Sequence, residues 1–204
     1  MASDILQPFP GQKLGGGHAQ ELSDAAFGFW IYIMSDCVLF AALFATFVVL
    51  SGNDAGGPSG KQLFDLPYTF GETMCLLCSS TSYGFASLAA QKGGRRAVAW
   101  WLLVTFVLGL AFVGMELNEF LGMVAAGNGP DRSGFLSGFF TLVGTHGTHV
   151  TVGLLWIAIM VGQIMAKGLT EKVRSRLLRL GMFWHFLDIV WIGVFTIVYL
   201  RGVV

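Results

Sequence analysis

Five stretches of this chain are each apolar over about the 20 residues that a helix needs to cross a hydrocarbon core roughly 30 Å thick. They fall at about residues 27–50, 66–90, 97–122, 135–166 and 177–200, and together fill most of the 204-residue sequence. The first is ended by Ser51-Gly52-Asn53, and the second opens with Pro67 at a position suited to a helix start. Phe27, Phe29, Trp30, Tyr68, Trp100, Trp101 and Tyr199 gather near several ends, where aromatic rings favour the membrane–water boundary. A surface helix of a soluble protein would carry a polar stripe, and these stretches carry almost none. Charged residues make up 12% of the sequence, about half the share in an ordinary soluble domain. The expected fold is all-α, an integral membrane bundle of five transmembrane helices.

Loop charge predicts its orientation. Lys92, Arg95 and Arg96 lie between the second and third spans with no acid among them. Lys167, Lys172, Arg174, Arg176 and Arg179 lie around the join of the fourth and fifth, against Glu171 alone. Excess lysine and arginine marks the cytoplasmic side, so an odd number of spans puts the N-terminus inside and the C-terminus outside. Residues 1–26 hold Pro8, Pro10 and Gly15-Gly16-Gly17 and read as a flexible cytoplasmic tail, leaving 27–204 as the transmembrane domain. The tail has no basic cluster followed by an apolar run, so no cleavable signal is expected. A formal net charge of zero gives no bulk attraction to nucleic acid, and no such partner is expected.

Ionisable side chains inside lipid are expensive and mark candidate functional positions. Asp36 falls near the middle of the first span and Glu72 in the outer half of the second. Glu116 and Glu119 lie in the outer half of the third, and His146 and His149 centrally in the fourth. His185 and Asp188 lie in the fifth. Three of these groups are i, i+3 pairs, each projecting from one helix face. Such groups could pair across helices, line a cleft of lipid or water, relay protons, or bind metal as carboxylates and histidines do in some bundles. No Glu-x-x-His occurs to favour the last, and Cys75 and Cys78 supply two thiols where a structural zinc needs four ligands. With Cys37, these thiols read as small packing residues. Gly134 and Gly138 form a G-x-x-x-G, and Gly147 continues the small-residue theme towards Thr151, so the fourth span should pack closely on a neighbour. No internal repeat is visible, and five spans cannot divide into two equal inverted halves.

Four strings carry a resemblance. Gly144-Thr-His-Gly-Thr-His149-Val-Thr and Phe183-Trp-His-Phe-Leu-Asp188-Ile-Val-Trp191 resemble the last two helices of subunit III of haem–copper terminal oxidases. Met34-Ser-Asp36-Cys-Val-Leu-Phe-Ala-Ala-Leu-Phe looks like that family's helix bearing a membrane carboxylate, and Gly114-Met-Glu116-Leu-Asn-Glu119-Phe is similar to its two-glutamate segment. Within the family the short, five-helix form is most similar to the bacterial ubiquinol-oxidising branch. The resemblance implies a non-catalytic accessory subunit of a proton-pumping oxidase in the bacterial inner membrane, with a periplasmic C-terminus. It would support assembly and lasting activity of the large subunit, where haem and copper are expected, with none in this chain. It also implies a cleft holding phospholipid. Asp36, Glu72, Glu116, Glu119, His146, His149, His185 and Asp188 would then line the polar interior or support proton supply. Much of the family carries glutamate where this chain has Asp36, which is one methylene shorter and reaches less far.

Overall fold

The computed structural model describes residues 16–53, 63–200 and 202. Five long helices account for nearly all of it, with no strand among the described residues. They are α1 (Gly16–Leu50), α2 (Leu66–Gln91), α3 (Arg95–Ala125), α4 (Gly134–Lys167) and α5 (Glu171–Val194), the last running on into a π-helical end, Phe195–Leu200. Four are long and apolar enough to cross a membrane: Asp24–Leu50 within α1, then α3, α4, and α5 with its π-helical end. The second helix is not one of these four. Glu72, Thr69, Thr73 and the run Ser79-Ser80-Thr81-Ser82 dilute its apolar residues.

Capping, rather than hydropathy, sets several helix ends. Thr170 accepts a hydrogen bond from the Val173 N–H at 3.4 Å, so α5 begins at Glu171, ahead of the apolar stretch expected from about 177. Ser133 accepts from the Leu136 N–H at 3.1 Å and starts α4, which stops at Gly168 with φ +72°, a conformation glycine adopts without a Cβ clash. The first helix starts at Gly16, ahead of the apolar stretch from 27. Of the tail expected at 1–26, residues 1–15 lie outside the described part.

Each helix packs on its neighbour in sequence from α2 onward, α5 closes back against α2, and α1 lies on α4 and α5. The G-x-x-x-G of α4 faces α1. A Cβ on Gly138 would lie 3.4 Å from Phe47 Cδ2, and one on Gly134 would lie 3.3 Å from Asn53 Cβ. On the far side of α4, the Trp184 indole of α5 fills a cradle made by Gly109 of α3 and Gly153. A Cβ at either glycine would come within 2.9 Å of the indole.

The α2 hydroxyls are spent inside the bundle. Trp184 Nε1 donates to Ser79 Oγ at 3.1 Å, Trp191 Nε1 donates to Thr73 Oγ1 at 3.0 Å, and Ser82 and Thr105 hydroxyls bond at 2.7 Å. Outside, Phe27, Val38, Val49, Leu121, Leu155 and Ile189 are exposed. Polar inside and apolar outside is the distribution that lipid requires. Cys37 and Cys78 face outward as free thiols and only Cys75 joins the packed interior, so a packing role for all three does not hold. At one end, the Arg95 guanidinium donates to the Met165 carbonyl and ties the α2–α3 turn to the end of α4.

Candidate functional site

Helix geometry sorts the eight ionisable residues into three groups. The first joins α2, α3 and the π-helical end of α5. Glu72 is wholly buried, and neither of its oxygens has a hydrogen-bond partner among the described residues. It lies close enough to Glu116 and Glu119 for their charges to act on it. Glu119 Oε2 accepts a hydrogen bond from the buried Tyr199 hydroxyl at 2.8 Å. Glu116 turns away towards α4, where a Cβ on Gly147 would lie 2.5 and 2.6 Å from its two carboxylate oxygens. Gly147 therefore makes room for a carboxylate, which the small-residue pattern did not specify.

The second group joins α1 and α4. His149 Nδ1 donates to the Thr145 carbonyl at 2.8 Å, which leaves Nε2 facing Asp36 Oδ2 at 3.8 Å. That separation is too long for a hydrogen bond but brings acid and imidazole together. His146, one turn away, is fully buried, with its ring 5.2 Å from Trp191 in a stacked arrangement and 5.9 Å from Phe112 edge-on. Neither of its nitrogens has a hydrogen-bond partner among the described residues.

The third joins α2 and α5. Ser80 Oγ lies 2.6 Å from His185 Nδ1, within hydrogen-bond distance. Asp188 is buried, whereas His185 is exposed. The i, i+3 spacing therefore does not put both of these side chains in the interior. The contribution of Ser80, like those of Thr73 and Ser79, went unread in the sequence. The run of hydroxyl residues within an otherwise apolar stretch was its visible signal.

Acid–base pairing thus describes Asp36 with His149, while Glu119 is met by Tyr199, Glu116 lies at Gly147, and no ion pair joins the three glutamates to a cation among the described residues. Among the described residues no three His, Cys, Asp or Glu side chains are grouped to hold a metal ion. The packing does not fit a haem on His146 either, because Trp191 and Phe112 occupy the space against its ring.

The model of the cytochrome c oxidase subunit III family matches residues 11–203. The chain belongs to that family. Subunit 3 of the cytochrome bo(3) ubiquinol oxidase of Pseudomonas aeruginosa is 58% identical over 179 residues, 88% of this chain and 86% of that protein. Quinol oxidase subunit 3 of Bacillus subtilis is 45% identical over 175 residues, covering 86% of each. Cytochrome c oxidase subunit 3 of a Bacillus species is 40% identical over 177 residues, 87% of this chain and 86% of the other. As a subunit III protein, the chain is a multi-pass membrane component of a respiratory terminal oxidase, and its partners are other oxidase subunits. Of its eight ionisable groups, Asp36, Glu72, Glu116, His146 and Asp188 are buried between helices.

Proposed function

We propose that this subunit III is the non-catalytic accessory subunit of a proton-pumping quinol oxidase in a bacterial inner membrane. The complex oxidises quinol and reduces oxygen to water; haem and copper belong to the large subunit that this chain supports in assembly and stability. The 58% identity to a ubiquinol oxidase subunit 3 over most of both chains carries the choice of quinol. The 40% identity to a cytochrome c oxidase subunit 3 keeps that donor as the second reading. A stand-alone proton or ion carrier would use the same acids without a partner.

In this reading the chain crosses the membrane five times, N-terminus in the cytoplasm and C-terminus in the periplasm. The contact of Arg95 with the end of α4 supports it by drawing the two basic turns to one end. Asp36, Glu72, Glu116, Glu119, His146, His149 and Asp188 make the polar interior that fixes the helices and supports proton supply. Gly134, Gly138 and Gly147 permit their close approach. Phospholipid fills a cleft against the bundle.

Purification through a tag on this chain tests the proposal. The expected preparation contains a larger haem-bearing chain, shows a haem absorption spectrum, and oxidises ubiquinol in preference to reduced cytochrome c. A haem-free preparation without partners, yet able to conduct ions in liposomes, would overturn it. Cytochrome c as the preferred donor would select the second reading.

A further inference from the structure

Where the α2–α3 turn meets the end of α4, the surface holds an open cavity of about 550 Å³, lined by Gly94, Arg95, Arg96, Ala97 and Met165. Its walls are positive and carry no acid. No Asp or Glu lies between Glu72 and Glu116, or between Asp131 and Glu171, so neither element that builds the cavity has a carboxylate near it. No ion pair joins Arg95 or Arg96 to an acid among the described residues. The Arg95 guanidinium donates to the Met165 carbonyl and so occupies that acceptor at the end of α4. Arg96 is exposed, and none of the described residues accepts a hydrogen bond from its guanidinium.

The cavity lies at the level of a membrane surface. Arg95 opens the apolar segment Arg95–Ala125, and Met165 stands two residues before the end of Gly134–Lys167. Trp100, five residues beyond Arg95, is 62% exposed, as suits an indole in the headgroup layer. From it Leu103, Val107 and Leu110 continue one exposed apolar track along α3, away from the cavity and into the span. Two guanidiniums at the boundary and an apolar track leading from them match the two ends of a phospholipid. Guanidinium N–H groups fit phosphate oxygens, and basic pockets between membrane helices on the cytoplasmic side take anionic headgroups. A free inorganic anion would use the guanidiniums and leave the track without a purpose.

We infer that this cavity is a site for the phosphate of an anionic phospholipid, held by Arg95 and Arg96 while its acyl chains lie along Trp100, Leu103, Val107 and Leu110. A glycerol headgroup adds no cation to the phosphate. A choline headgroup brings a quaternary ammonium against two guanidiniums, so like-charge repulsion selects the anionic lipid. Bound there, the lipid joins the start of α3 to the end of α4, the same two elements that Arg95 ties through the Met165 carbonyl. This inference rests on the proposed reading that the chain spans the membrane with its basic turns in the cytoplasm, and adds the place and charge of one bound lipid.

The test titrates the delipidated complex in detergent with phosphatidylglycerol or phosphatidylcholine and counts lipid on this chain by native mass spectrometry. Wild type should hold one phosphatidylglycerol more tightly than phosphatidylcholine. Arg96→Gln should weaken that lipid by about 5-fold, the effect of one basic residue at a membrane surface, and Arg96→Lys should restore most of the loss. Arg96 is exposed, so both variants should keep the wild-type circular dichroism, whereas Arg95 stays in place because it also ties α4. Lys172→Gln removes a charge from the start of α5, outside the cavity, and should change nothing. Equal weakening by Arg96→Gln and Lys172→Gln would reveal diffuse attraction and overturn the site, as would equal binding of the two lipids. Inorganic phosphate that displaces the lipid at equal concentration would show a free-anion site and overturn the lipid assignment. A wild-type complex that assembles yet holds no such lipid would refute this inference alone. A chain that co-purifies with no oxidase subunit would instead refute the proposed function, and its own lipid count would still decide the site.

Discussion

Replacing Gly147 with alanine sets two opposed effects against each other in the middle of α4. Removing a glycine from a helix interior should stabilise it by about 1 kcal/mol. The new Cβ would stand 2.5, 2.6 and 2.8 Å from Oε1, Oε2 and Cδ of Glu116. The carboxylate would have to retreat by roughly 1 Å to regain ordinary contact. Glu116 is only 3% exposed, so its retreat leads into the packed interior. Overpacking of this kind costs about 1–3 kcal/mol, and the net expectation is a loss of about 1 kcal/mol. Gly162 lies in the same helix with nothing within 4 Å of an added Cβ, so Gly162→Ala should give the propensity gain alone. The two alanines should thus differ by about 2 kcal/mol, close to 30-fold in an equilibrium. The assay is graded heating of the purified complex in detergent, reading the fraction of this chain still folded and bound. Shortening Glu116 to alanine beside Gly147→Ala should remove the clash and show coupling between the sites. Equal stability of Gly147→Ala and Gly162→Ala would refute the claim that Gly147 seats the Glu116 carboxylate.

The remaining expectations concern the other polar contacts and the number of spans. Asp36→Asn removes the acid facing His149 at 3.8 Å, and should leave assembly intact while oxidase activity decays faster during turnover; an unchanged decay would show that the carboxylate is merely tolerated. Tyr199→Phe deletes the donor to Glu119 Oε2 and should cost about 1–3 kcal/mol in the same heating assay. Combined with Glu119→Gln, it should cost less than the two changes separately; strict additivity would mean the bond contributes nothing. Cysteines placed at Asp65 and Gln91 in a chain lacking Cys37, Cys75 and Cys78 should react with an impermeant thiol reagent from opposite sides of the membrane. Labelling from one side would show that α2 does not cross.

Much of the fold was legible because lipid makes composition informative: an apolar stretch of the right length has few alternatives to a helix. The apolar stretches at 97–122 and 135–166 fall within α3 and α4. The glycines of Gly134-x-x-x-Gly138 indicated a close neighbour, but not that Phe47 of α1 would be the contact. Which acids would meet was not legible. Helix spacing places Glu116 and Glu119 on one face, yet says nothing about their reach: one goes to Gly147 and the other to Tyr199. These choices are made by interhelix rotation, which a single helix period cannot specify. The same limit hid the outward turn of His185, since three residues rotate a helix by about 300° and leave two side chains near, but not at, the same heading.

Average composition is a poor guide to what the second helix presents to its surroundings. Its serines and threonines lower its average hydropathy, but an average treats every hydroxyl as though it met lipid. Here Thr73 and Ser79 each accept an indole N–H from α5, Ser82 bonds Thr105 of α3, and Ser80 bonds His185. Even outward-facing Thr81 returns its hydroxyl to the Leu77 carbonyl at 3.0 Å. The large apolar side chains that α2 shows outside are Phe70, Met74, Phe85 and Leu88. A hydroxyl that has found its partner inside the bundle no longer carries the full penalty of an unsatisfied group. Judged by the surface it presents rather than by its sequence average, α2 resembles the four helices around it, which supports the fifth span. If α2 crosses the membrane as proposed, it is suited to lipid only once α3 and α5 are beside it, so its stability there is tied to the contacts that satisfy Thr73, Ser79, Ser80 and Ser82.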